Sequence, residues 1–106
     1  MPFISVNLTT TGWRSQAIEV GASTRLALAV DHDDATYSWT LGALTLQWTV
    51  DEDRKVWVDF DPAIVLLSGT RGYPRVPVAG VLAVRLRCAA PDTGADPSCR
   101  LDYLLT

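Results

Sequence analysis

The chain has 106 residues, 48% of them hydrophobic, and a formal net charge of −3. That hydrophobic fraction excludes a disordered chain, and the length suits one domain, residues 1–106, with a core large enough to fold without a metal. The acidic balance and the lack of a basic stripe argue against nucleic acid as a partner, and no apolar run reaches the roughly 20 residues of a membrane helix.

Period-two alternation runs through the chain and predicts strands. Met1 to Ser5 lacks the basic and apolar regions of a signal peptide, so a protein made in the cytoplasm is expected. Ile4, Val6 and Leu8 form the first apolar face, ended by Thr9-Thr10-Thr11-Gly12. Ile18 and Val20 mark a short second strand closed by Gly21. Leu26, Leu28 and Val30 alternate with Arg25, Ala27 and Ala29 up to Asp31-His32-Asp33-Asp34. Tyr37, Trp39 and Leu41 continue the pattern, and Leu44, Leu46, Trp48 and Val50 repeat it around Thr45, Gln47 and Thr49.

Asp51-Glu52-Asp53-Arg54 reads as a charged turn before Val56, Val58 and Phe60. Pro62 breaks that ladder, since proline lacks the donor a central strand needs. A short apolar run, Ala63 to Leu67, precedes a Gly- and Pro-rich stretch, Ser68 to Pro77, which reads as a long connection. Val81 to Cys88 and Cys99 to Leu105 read as the two arms of a closing hairpin around the loop Ala89 to Ser98. About eight short strands with regular turn signals predict an all-β, antiparallel β-sandwich of jelly-roll type, with an immunoglobulin-like sandwich as the alternative.

In the closing hairpin, Cys88 opposing Cys99 would set Leu86 against Leu101, Val84 against Tyr103 and Arg85 against Asp102. It would also set Arg87 against Arg100, which is unfavourable. The cysteines are then a disulfide staple, or else two buried thiols behaving as small hydrophobes. Their spacing is neither that of a redox motif nor, with one histidine in the chain, that of a metal site.

The remaining polar clusters read as solvated turns. Asp31 to Asp34 lacks a calcium-loop pattern, and His32 has no nucleophile elbow to serve. Asp59 and Asp61 flank Phe60 at a strand end, where acids commonly face water. No cofactor is implied. Trp39 and Trp48 lie in phase with apolar neighbours and belong to the core. Trp57 is out of phase with Val56, Val58 and Phe60, and Trp13 follows the Gly12 turn. With Arg71, Tyr73 and Arg75 of the Gly/Pro-rich stretch, these are the candidate interface or ligand residues.

The opening Asn7-Leu8-Thr9-Thr10-Thr11-Gly12-Trp13, the Ile18–Val20 segment and the Thr24–Val30 strand carry a resemblance. Val84-Arg85-Leu86-Arg87, a Gly-containing loop and Asp102-Tyr103-Leu104 complete it. In layout the chain resembles the small β-sandwich structural proteins of tailed-bacteriophage particles. Such proteins decorate capsids, sit at head or tail joints or form fibre domains, often as symmetric oligomers. The resemblance implies a non-enzymatic virion protein whose partners are capsid or tail proteins and, in a homo-oligomer, further copies of itself. A carbohydrate-binding module using exposed aromatics is the main alternative. A small jelly-roll hydrolase is a third, disfavoured by the single histidine.

Overall fold

The computed structural model describes residues 3–7, 12–31, 43–67, 72–90 and 98–106; the side chains at 7, 30, 31, 43, 66, 67, 89, 90 and 98–100 are not among those described. The expected strand through Tyr37, Trp39 and Leu41, the cluster His32 to Asp34, and Arg71 lie outside these residues.

Among the described residues, nine strands form two antiparallel sheets. They are β1 (Phe3–Asn7), β2 (Ile18–Glu19), β3 (Arg25–Asp31), β4 (Ala43–Thr49), β5 (Val58–Asp59), β6 (Val65–Leu67), β7 (Gly72–Pro77), β8 (Ala83–Ala90) and β9 (Ser98–Leu105). Sheet A has the order β1-β9-β3-β7. Sheet B has the order β2-β8-β4-β5, and β6 also pairs with β4. β5 and β6 are two pieces of one edge strand. Leu46 accepts a hydrogen bond from the Phe60 amide at 3.4 Å and donates one to the Ile64 carbonyl at 3.0 Å, so Asp61, Pro62 and Ala63 are looped out.

With β5 and β6 counted as one strand, the pairing is that of a jelly roll. β1 joins β9, β2 joins β8, β3 joins β7 and β4 joins β5/β6, as in one long folded hairpin. Rolling that hairpin adds the β9–β3 and β8–β4 ladders and splits it into two layers. The immunoglobulin-like alternative has a different strand order and is not the one formed.

The alternation read from the sequence builds the core. Ile4, Val6, Leu26, Leu28, Val76 and Leu101 project from sheet A, and Ile18, Leu44, Leu46, Val84, Leu86 and Cys88 from sheet B, into one cluster. Full burial of each such side chain is worth about 1.5–3 kcal/mol. Trp48 packs against this cluster, as expected, and so do Trp13 and Tyr73.

The closing hairpin needs correction. β8 pairs with β2 and β4, whereas β9 pairs with β1 and β3. Cys88 stands opposite Leu44, and Cys99 opposite Val6. β8 and β9 are not ladder partners, so neither Arg85 and Asp102 nor Arg87 and Arg100 form a register pair. A bridge between the cysteines would join two layers rather than two arms of one ladder.

Ser68 to Pro77 is not wholly a connection either: Gly72 onward is β7. Among the described residues β7 is an edge strand with β3 as its one ladder partner, so Pro74 and Pro77 are tolerated there. Pro74 and Arg75 fall in a register shift opposite Ala27. Gly72 has φ 154°, and a Cβ there would collide with the Leu28 carbonyl oxygen. Gly72→Ala is therefore expected to lower stability by about 1–3 kcal/mol in urea unfolding, chiefly by parting β7 from β3.

Candidate functional site

The core claims one face of each sheet and leaves two outer faces. On sheet A that face carries Phe3, Ala27, Ala29, Asp102 and Leu104, since Phe3 opposes Asp102, Ala29 opposes Asp102 and Ala27 opposes Leu104. Small side chains on β3 leave the sheet surface low. Ala27, Ala29 and Gly72 floor a shallow groove of about 430 Å³, bordered by Pro74, Asp102 and Leu104. Leu104 is 47% exposed and Phe3 50%. Tyr73 also lines the groove, but its ring packs on the core and its hydroxyl donates to the Val65 carbonyl at 2.9 Å.

Sheet B presents a different outer face. Thr45, Gln47 and Thr49 alternate with core residues along β4, as the sequence shows, yet all are buried. Part of the cover is the segment 50–57, which folds back over the sheet. Thr49 Oγ1 donates to the Val56 carbonyl at 2.6 Å and accepts from the Asp51 amide at 2.9 Å. The Asp51 carboxylate accepts from the amides of Asp53, Lys55 and Val56. Those amides, Lys55 first, with the Arg54 charge a smaller contribution, hold its pKa below the ordinary value of 3.8. Arg54 sits at φ 57°, a left-handed conformation, and its guanidinium bonds the Asp51 and Glu52 carbonyls and the Glu19 carboxylate.

Trp57 takes its place in this cover. Its indole N–H donates to the Arg54 carbonyl at 2.8 Å, and its ring lies 4.3 Å from the Arg85 guanidinium. Arg85 Nε donates to Gln47 Oε1 at 2.8 Å, and Gln47 Nε2 donates to the Asp59 carboxylate at 2.9 Å. Trp57 thus points away from the core, as its phase predicts, but is half-buried against sheet B rather than an open platform. Arg14 bridges to Arg87 beside this network. Burial, then the charges of Arg14 and Arg87, push the Arg85 pKa down, although a guanidinium stays protonated.

The described candidate residues therefore do not converge. Trp13 is half-buried: its carbonyl accepts from the Cys88 amide at 2.7 Å, which ties the segment to β8. Trp57 belongs to the cover of sheet B, and Tyr73 and Arg75 to β7 of sheet A, where Arg75 is exposed. The groove and Arg14 were missed by sequence reading. The signal for the groove was present: Ala27 and Ala29 occupy the phase of β3 where polar residues usually face water. Among the described residues, no group of three His, Cys, Asp or Glu side chains could hold a metal ion.

Comparison with protein-family models, curated proteins and solved structures finds no match.

Two outcomes are expected from the sheet B cover. Trp57→Ala should cost about 1–2 kcal/mol in denaturant unfolding, through lost packing and the lost ring under Arg85. Because the folded-state pKa of Asp51 is lowered, its stabilisation is present above the ordinary carboxylate range and fades as pH falls through the folded value. Amide exchange at Asp53, Lys55 and Val56 should accelerate below about pH 4 beyond its intrinsic trend, and Asp51→Asn should remove most of that pH dependence.

Proposed function

We propose that this chain is a non-enzymatic structural domain of a phage-like particle, docked on a capsid or tail protein through the outer face of sheet A. The groove on that face is the observation that carries the reading. An apolar depression with a low floor accepts one or two large side chains of a partner, and excluding water from such a pocket is what gives an interface its affinity. Leu104 and Pro74 would form its walls, and Asp102 would fix orientation at its rim. The jelly roll agrees with this use, since it is a recurrent capsid architecture, but the same fold also serves lectins and enzymes and does not decide the matter.

Sugar binding finds less support. Trp57, the aromatic on which that reading rested, has its ring against Arg85 and its N–H engaged by Arg54.

The test is co-sedimentation of the purified chain with particles isolated from the cells that carry its gene. The wild type should sediment with them. Ala29→Arg, which fills the groove floor from an exposed position, should weaken association by about tenfold or more while leaving the unfolding midpoint nearly unchanged. A chain that neither sediments with particles nor occurs in them defeats the reading. A glycan array gives the opposite check: specific binding lost in Trp57→Ala would favour the carbohydrate alternative.

A further inference from the structure

Arg14, Arg85 and Arg87 share the outer face of sheet B, the layer opposite the groove. Arg85 and Arg87 alternate along β8, and Arg14 stands opposite Arg87 on the neighbouring segment. The cluster belongs to a chain of net charge −3, yet no carboxylate among the described residues is ion-paired with any of the three. Two described acids of sheet B are otherwise engaged. Glu19 bonds Arg54 at 3.0 Å, and Asp59 reaches Arg85 only through Gln47. Neighbouring guanidinium groups repel one another, so three on one face favour a partner that brings negative charge.

The geometry also restricts that counter-charge. Arg85 is pinned. Trp57 lies on one side of its guanidinium plane, and Gln47 takes its Nε edge, leaving the two Nη groups to present a fork. Arg87 emanates two residues along the strand, roughly 7 Å away, which is also the spacing of alternate residues in an extended chain. A pinned Arg85 cannot swing toward an ion held by Arg87. Two carboxylates on alternate residues of an extended segment meet both forks without such movement.

We propose that Arg14, Arg85 and Arg87 form a docking site for an extended acidic segment of a partner protein, with Trp57 and Gln47 as positioning residues for Arg85. The inference rests on the reading of the chain as a protein that works through protein contacts. It places a second, electrostatic contact on the face away from the groove.

The test uses the whole protein and the peptide Gly-Glu-Thr-Glu-Thr-Glu-Gly, with calorimetry for affinity and the Arg Nε–H resonances as the local readout. The peptide should bind at low salt, weaken as salt rises and perturb the signals of Arg14, Arg85 and Arg87. Arg14→Gln and Arg87→Gln should each weaken it about three- to tenfold, and Arg75→Gln on sheet A should have no effect. The Gln-for-Glu peptide should not bind. Absence of peptide binding at low salt overturns the proposal, as does binding that survives both Arg14→Gln and Arg87→Gln. Inorganic phosphate competing at the peptide's own affinity overturns it in favour of a simple oxyanion site. If the chain joins particles but ignores the peptide, this inference alone fails. If the peptide binds as expected and no particle association exists, the reading of function fails and the site stands.

Discussion

Alternation of the chain between two layers is the constraint on which the rest of this structure depends. β1, β3, β7 and β9 lie in one sheet and β2, β4, β5, β6 and β8 in the other. Apart from the passage through β4, β5 and β6, every strand is followed by one in the opposite sheet. A chain laid out this way cannot pair most of its sequence neighbours. It pairs first with last and works inward, so each ladder joins distant segments and the two inner faces close on each other. Leu26, Leu28 and Leu101 of one sheet and Leu44, Leu46 and Leu86 of the other lose nearly all contact with water only because of that closure.

The same winding sets the edges. Among the described residues, sheet A ends in β1 and β7, and sheet B in β2 and the divided β5/β6 strand. Exposed edges invite pairing with other chains, and both β7 and β5/β6 carry features that discourage it. Pro74 and Pro77 remove donors from β7, and Asp61, Pro62 and Ala63 bulge out of the strand facing β4. With those two edges blunted in this way, the outer faces are larger surfaces left for contact. They differ in chemistry. Sheet A offers a low apolar floor, and sheet B a polar lattice in which Thr49, Gln47, Trp57 and Arg85 are locked by hydrogen bonds and ring contact.

Much of the fold was legible in the chain. Alternation at Leu26/Leu28, Leu44/Leu46 and Val84/Leu86 identified both the strands and the side that became core, because a residue's face follows from parity alone. The charged turn at Asp51 was equally readable, since an aspartate placed before several free amides caps them locally. β7 was misread because proline argues against a strand only when both sides must be paired, and an edge has one. Val56 to Phe60 looked like a longer strand than β5, because the sequence does not announce that Thr49 will draw the Val56 carbonyl across the sheet.

The closing pair of strands shows where local reading ends. By itself the sequence determined that Val84, Leu86 and Cys88 share one face, that Leu101 is core, and that a turn-rich loop separates the arms. It also determined that Trp57 would point away from the core. Only the tertiary structure decided that β8 and β9 belong to different sheets, which set Cys88 against Leu44 and Cys99 against Val6. It alone brought Arg14 beside Arg87 and set Trp57 over Arg85. Parity is a property of one strand and survives any arrangement of its neighbours. Partnership depends on which distant segments complete the two layers, and no local pattern in a strand encodes that choice.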